Sequence, residues 1–188
     1  MKLGVFNPVL NQMKFKDMVE YLSSLGVQQL EMGAGGCPGK AHFNPEVLLK
    51  DDKAIDEIKQ ILSDNNMSIA AISAHGNPVH PNKEIAEMYH NDFNNAVLLA
   101  EKLGVDTMVG FSGCPGDCEN SLRPNWVTCT WPNDYTEILK WQWEEVLVPY
   151  WKEEVKFCEA HGIKKIAFEM HPGFCVYNTA TVLKIRDA

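Results

Sequence analysis

Hydrophobic and polar positions follow one repeating order along the chain. A short apolar run comes first, then a polar or Gly-rich segment, then a longer stretch with apolar residues every three or four positions. Such runs read as strands and such stretches as amphipathic helices. The first run is Lys2–Asn7, followed by a helical pattern from Phe15 to Leu25 that Gly26 should stop. The second is Val27–Gly33. After a Gly- and Pro-rich loop comes a helix from about Asp52 to Asn65, with Ile55, Ile58 and Leu62 as its apolar stripe. The third is Ser68–His75, then a loop with Gly76, Pro78 and Pro81 and a helix from about Asn82 to Leu103, closed by Gly104. The fourth is Thr107–Gly113, followed by a loop of about twenty residues and a long helix from about Asp134 to His161, closed by Gly162. Pro149 falls inside that helix and should kink or divide it, because proline lacks the N–H and its ring strikes the preceding turn. The fifth is Lys165–His171, with a last helical pattern, Thr179–Arg186, after Asn178.

Five strand–helix units predict an α/β fold with a parallel sheet. An open doubly wound sheet and a (β/α)8 barrel both satisfy that alternation. No GxGxxG follows the first strand, and GAGGCPG (33–39) lacks the Lys-Ser/Thr of a phosphate loop. Each strand also carries polar or small residues towards its C-terminal end: Asn7, Glu31, His75, Gly113 and Glu169. In a barrel those ends form the face where chemistry occurs, so the barrel is preferred. The 188 residues fall short of the roughly 250 of a complete barrel. The expectation is therefore one domain over residues 1–188, a barrel incomplete at its C-terminal side.

Composition narrows the function classes. Lys and Arg number 17 against 25 Asp and Glu, a net charge of −8, and 45% of residues are hydrophobic. That excludes disordered and low-complexity classes. It also argues against a nucleic-acid partner, since no window gathers the basic residues a phosphate backbone requires. No run reaches the length of a membrane span, and Asn7, Pro8, Asn11 and Gln12 interrupt any leader-like apolar run at the N-terminus. The six cysteines form no CxxC pair and no regular framework, which reads as reduced thiols in a cytoplasmic protein. Cys114, Cys118 and Cys129 share one segment; a zinc site there competes with the simpler reading of small buried side chains.

Several residues point to chemistry. In IAFEMHPG, alternation puts Ala167, Glu169 and His171 on one face and Phe168 and Met170 on the other. Glu169 would then enter the barrel mouth, where a carboxylate needs a metal, a cation or a proton. The competing reading is a structural ion pair. His171 suits a substrate contact or a turn cap. His75 closes the third strand, with Ile69, Ala71 and Ser73 expected on its face, and suits proton transfer or metal support. A histidine bonded to a backbone carbonyl is the alternative. Glu31 faces with Gln29 and would bring a second carboxylate to the opening, or an ion pair. Asn7 suits donation to a substrate hydroxyl, and His80 lies in the loop after the third strand. Trp126 and Trp131 suit a wall against the apolar face of a sugar, or simply the packing of a long loop. Trp141, Trp143 and Trp151 read as packing or subunit contact. Glu144, Glu145, Glu153 and Glu154, with Lys152 and Lys156, read as the solvated face of the long helix. Neither Gly-x-Ser-x-Gly nor HExxH is present, so metal-assisted polyol or carbonyl chemistry is favoured over serine hydrolysis.

SAHGNPVHP (73–81), FSGCPGD (111–117), PNWVTCTWP (124–132), EILKWQWEEVLVPYWKE (137–153) and IAFEMHPGFCVYN (166–178) together resemble the sugar phosphate isomerase/epimerase family. The resemblance covers essentially the whole chain and implies a xylose isomerase-like TIM barrel. It further implies a divalent metal (manganese first, then magnesium, cobalt or zinc) held by a Glu, an Asp, a His and a second Glu from strands five to eight. Glu169 matches the first ligand, as metal ligand and perhaps base; His75 and His171 would lie near the sugar. The other three ligands have no counterpart before Ala188. Three readings of that ending stand: a piece of a longer protein, which is preferred, a barrel completed by another copy in a homo-oligomer, or a five-unit chain without turnover. The reaction implied is isomerisation or epimerisation of a sugar, sugar phosphate or keto-polyol, through an enediolate or a metal-assisted hydride shift. Dehydratases and C-glycoside-cleaving enzymes on the same barrel are alternatives, as is a non-catalytic interaction protein. The acidic charge sets aside the apurinic endonucleases of this barrel.

Overall fold

The computed structural model describes all 188 residues. Five strands form one sheet: β1 (Gly4–Phe6), β2 (Gln29–Gly36), β3 (Ser68–His75), β4 (Thr107–Gly110) and β5 (Lys165–Phe168). Seven helices connect and follow them: α1 (Phe15–Ser24), α2 (Pro45–Leu48), α3 (Asp52–Asp64), α4 (Lys83–Leu103), α5 (Asn133–Trp141), α6 (Val148–Ala160) and α7 (Thr179–Asp187). The short α2, capped by Asn44, is the one helix that periodicity does not announce, since four residues cannot display a period.

All neighbouring strands pair in parallel, and the spatial order is the chain order, β1-β2-β3-β4-β5. A doubly wound sheet reverses its strand order at a switch point. Strict succession is barrel geometry, so the chain is a partial (β/α) barrel of five parallel strands, with β1 and β5 at its open edges.

The helices end as the glycines predict. At the end of α4, Gly104 takes φ +76° and Val105 N–H returns to Ala100 O at 2.9 Å, a closure that favours glycine because a Cβ would strain that backbone. After α3, where no glycine stands, Asn66 adopts the left-handed conformation instead, at φ 53°. The long fourth helix is divided, as Pro149 suggested. A π-helical segment, Gln142–Leu147, separates α5 from α6, and Pro149 sits in the first turn of α6. The wide turns absorb the missing N–H of proline.

The core lies between the sheet and the helices. Leu30, Met32 and Ala34 of β2 and Ile72 and Ala74 of β3 pack there against Val19, Ile58, Val97 and Leu99. Two register shifts between β2 and β3 change the expected alternation. Leu30 faces Ile69, but Glu31 faces Ala71, so Ala70 is an extra residue. Ile69 therefore packs towards the helices, whereas Ala71, Ser73 and His75 share the other side. Glu154 is a further correction. It is 5% exposed rather than part of a solvated face, because Trp151, Glu154 and Cys158 form the stripe of α6 turned inward. Trp143 and Trp151 are core residues, and Trp151 Nε1 donates to Ser112 O at 2.8 Å.

Candidate active-site mouth

The C-terminal ends of β3, β4 and β5 meet at one opening. β3 delivers His75 as its last residue. β5 ends at Phe168, one residue earlier than Glu169, yet Glu169 N–H still donates to Gly110 O at 3.0 Å and continues the ladder past β4. Ile166 and Phe168 pack against the core, which leaves Ala167 and Glu169 on the opposite side. Alternation holds as read over Ile166–Glu169, but Met170, beyond the end of the strand, is 51% exposed rather than packed with Phe168.

His75 and Glu169 come together across β4. His75 Nε2 lies 2.9 Å from Glu169 Oε2, with the imidazole buried and the carboxylate half-exposed. The contact lacks the alignment of a hydrogen bond, and neither ring nitrogen of His75 has a hydrogen-bond partner. Burial pushes the His75 pKa down, against the upward pull of the Glu169 charge, and the nearby His171 pushes it further down. A neutral imidazole lone pair and a carboxylate oxygen at this distance repel each other unless a proton or cation lies between them.

Glu31 belongs to the same group. It does not end its strand: β2 runs on through Gly36, because the glycine-rich stretch stays extended and pairs with Ser73–His75. Burial raises the Glu31 pKa; a hydrogen bond with Ser73 opposes this, and the Glu169 charge adds to it. His171 lies beyond β5, exposed, with Nδ1 2.7 Å from the Pro172 carbonyl oxygen. Phe111 joins the two histidines: its ring centroid is 4.7 Å from that of His75 and 5.0 Å from that of His171. It also stacks on Phe174 at 4.2 Å, and Phe6 reaches His75 at 5.7 Å. These three phenylalanines are absent from the sequence-based candidates; Phe111 and Phe6 sit at strand ends, which was the available signal.

The other candidates lie apart from this group or are occupied within the protein. Asn7 does not end β1 but opens a 3-10 turn, and it is buried. Its Oδ1 accepts from Gly33 N–H at 2.7 Å, while its Nδ2 meets Asn11 Oδ1 at 3.1 Å and His42 Nδ1 at 3.0 Å. His80 Nδ1 accepts from Asn82 N–H at 2.9 Å beside the start of α4. Trp126 meets Tyr177 edge-on at 5.4 Å, and Trp131 is 77% exposed. The long loop is pinned from beneath by buried Gln142, whose Nε2 donates to Gly116 O at 2.8 Å and Asn125 O at 2.6 Å.

The backbone around His75 is tightly built. Cys37 N–H donates to His75 O at 2.8 Å, and Gly36 N–H to Asp92 Oδ2 of α4 at 2.8 Å. Gly36 takes φ +70°, and a Cβ there would stand 1.9 Å from His75 O. Only glycine allows β2 to approach the histidine this closely.

A carboxylate and an imidazole are donors suited to a divalent cation. Two ligands at right angles about an octahedral ion with bonds of about 2.1 Å stand ~3.0 Å apart, close to the observed His75–Glu169 spacing. The donor chemistry therefore fits part of a shell. No three His, Cys, Asp or Glu side chains gather closely enough to hold an ion by themselves, and this includes Cys114, Cys118 and Cys129. A concavity of about 1330 Å³ lies elsewhere, on the outer flank of β5 between α6 and α7, lined by Trp151, Phe168, Val182 and Ile185. It exists because β5 is an edge strand, and no mouth residue lines it. No helix is long and apolar enough to cross a membrane.

Comparison with known proteins adds to this geometry. Residues 19–188 match the family model described as xylose isomerase-like TIM barrel. The chain is 36% identical over 190 residues to the uncharacterized protein YfiH of Bacillus subtilis (strain 168), and spans all of itself but 60% of that protein. Among solved structures it resembles the probable 3-DHS dehydratase AsbF of Bacillus anthracis, with TM-score 0.65, 15% identity, and coverage of 100% of this chain and 58% of that one. It also resembles the IOLI protein solved with a zinc atom, with TM-score 0.63, 20% identity and coverage of 100% and 58%. The 3-keto-D-glucoside 4-epimerase YcjR of E. coli follows, with TM-score 0.64, 10% identity and coverage of 98% and 63%. At these identities the structural likeness speaks for the fold.

Proposed function

The chain belongs to the xylose isomerase-like TIM-barrel family, and from that premise we propose that it carries the Glu169–His75 part of a metal-dependent sugar or keto-polyol isomerase or epimerase site. The single observation that carries this reading is the approach of Glu169 to a buried histidine with two unpartnered nitrogens, at the end of the barrel where this architecture performs chemistry.

Glu169 is the residue that would hold a divalent metal, manganese first. A bound divalent cation supplies Lewis-acid polarisation of a substrate carbonyl. The chain's own residues do the rest. Glu169 accepts a proton from the carbon next to the carbonyl, and His75, kept neutral by burial, passes a proton between that carboxylate and a substrate oxygen. Glu31, whose carboxyl is raised by burial, holds a hydroxyl. Phe6, Phe111 and Phe174 exclude water beside them. Glu169 has a histidine partner rather than a Lys or Arg, which disfavours a purely structural ion pair.

The test is Mn²⁺ titration by calorimetry on the wild-type protein and on Glu169→Gln, with a screen of ketoses and keto-inositols. The expected result is at least ~10-fold weaker Mn²⁺ binding in the variant. Equal affinity would overturn the assignment. Product analysis separates the dehydratase alternative, since loss of water changes the product mass and epimerisation does not.

A further inference from the structure

The loops that follow β4 and β5 run side by side near the mouth, and two cysteines meet there. Cys175 N–H donates to Gly113 O at 2.9 Å, and Val176 N–H donates to Ser112 Oγ at 2.9 Å. Asn77 grips Cys114 on both sides, with Cys114 N–H to Oδ1 at 2.9 Å and Nδ2 to Cys114 O at 2.8 Å. Cys114 and Cys175 are both buried, and each thiol shifts the proton affinity of the other, while Cys114 Sγ also reaches Pro115 O at 3.6 Å. None of the four surrounding hydrogen bonds uses a sulfur, so the backbone positions are set independently of the thiols. The Cys175–Gly113 bond brings the two segments to inter-strand separation, ~5 Å, and Cys114 directly follows Gly113. Segments this close allow the separation of about 4.4–6.8 Å between Cα atoms that a disulfide requires. Cys158, the third buried thiol, is a lone contrast: burial pushes it up to about 12, and its neighbours are Glu154 and Glu159.

We propose that Cys114 and Cys175 are a redox pair that closes reversibly into a disulfide joining the two mouth loops. The oxidant class is a small peroxide. The Cys114 thiolate attacks one peroxide oxygen, the O–O bond breaks, hydroxide leaves, and Cys114 becomes a sulfenic acid. The Cys175 sulfur then attacks the sulfenic sulfur, the S–S bond forms, and the hydroxyl departs with the Cys175 proton as water. Two thiols are oxidised by two electrons, and hydrogen peroxide is reduced to two waters. The neighbouring Cys175 thiol lowers that of Cys114 and is itself raised, which makes Cys114 the attacking sulfur. Burial makes the reaction slow, since peroxide enters through local opening. Once formed, the bond ties the segment carrying Phe111 to the one carrying Phe174, whose rings already stack at 4.2 Å. That consequence for the mouth rests on the proposed function; the bond itself does not.

The experiment starts by alkylating the native protein with iodoacetamide, which caps the exposed Cys37, Cys118 and Cys129. The triply alkylated protein is treated with hydrogen peroxide, then denatured for thiol counting and non-reducing peptide mapping. The expected count falls from three to one, Cys158 remaining, and one peptide links Cys114 to Cys175 until dithiothreitol separates it. In Cys175→Ser no link forms, and dimedone traps Cys114 as the sulfenic acid. Three thiols surviving peroxide, or Cys114 driven to sulfinic acid without a link in the wild-type protein, would overturn the proposal. These readouts need no substrate or metal, so a failed activity screen leaves them intact, and a failed bridge leaves the proposed function intact.

Discussion

Glu154→Gln should raise stability at alkaline pH and leave it almost unchanged in mild acid. Glu154 is 5% exposed and sits between α4 and α6, with Oε1 3.1 Å from His90 Nδ1 and Oε2 without a hydrogen-bond partner. Burial pushes its pKa from 4.5 up to about 7. An acid that holds its proton more tightly when folded favours folding at low pH. Its contribution is full below about 4.5, declines as pH rises, and is gone above about 7. Each tenfold difference in proton affinity corresponds to about 1.4 kcal/mol, so the carboxylate costs ~3 kcal/mol at pH 8 relative to pH 4.5. The neutral amide never ionises and fills the same space. At roughly 2–4 °C per kcal/mol for a chain of this length, the variant should melt roughly 6–12 °C above the wild-type protein at pH 8. The two should converge near pH 5. Urea unfolding with m held constant checks the free energies. Parallel pH profiles for the two proteins would refute the reasoning, because the burial cost would then be met by other groups.

Two other outcomes follow from the mouth. The His75 imidazole should titrate below its ordinary value of 6.5, and Glu169→Gln should lower the midpoint further by removing the charge that pulls it up; a rise or no change in the NMR titration would contradict the pairing. Gly36→Ala should cost at least ~3 kcal/mol in urea unfolding, since its Cβ would meet His75 O at 1.9 Å on a backbone already at φ +70°; a cost below ~1 kcal/mol would mean that β2 and His75 can move apart.

Much of the fold is legible because it is written locally. Gly26, Gly104 and Gly162 end helices where a left-handed residue is needed, and each of the three takes positive φ. On β5, Ile166 and Phe168 separate from Ala167 and Glu169 by simple alternation. The mouth was legible in part. His75 and Glu169 meet because strands in a parallel barrel present their C-terminal ends together, and Glu31 and His171 lie near enough to act on them through charge. Phe111 and Phe174 were not legible, since an aromatic residue in a loop looks the same whether it faces solvent or a histidine. Asn7 looked available to a substrate, and only the chain at Gly33, Asn11 and His42 reveals that its amide is already used.

The sequence by itself determined five strand–helix units, their polarity and the residues at their ends, because periodicity and capping depend on neighbours within a few positions. Tertiary structure alone decided the strand order that makes a barrel rather than a doubly wound sheet, and the bulge at Ala70 that turns Ile69 away from the face of His75. It also decided which titratable groups are dry. Glu154 is acidic on any helical wheel, but its proton affinity depends on α4 packing over it, and Cys114 gains a partner only when the β5 loop returns beside the β4 loop. Solvation and register are properties of contacts between distant segments, and a one-dimensional pattern does not contain them.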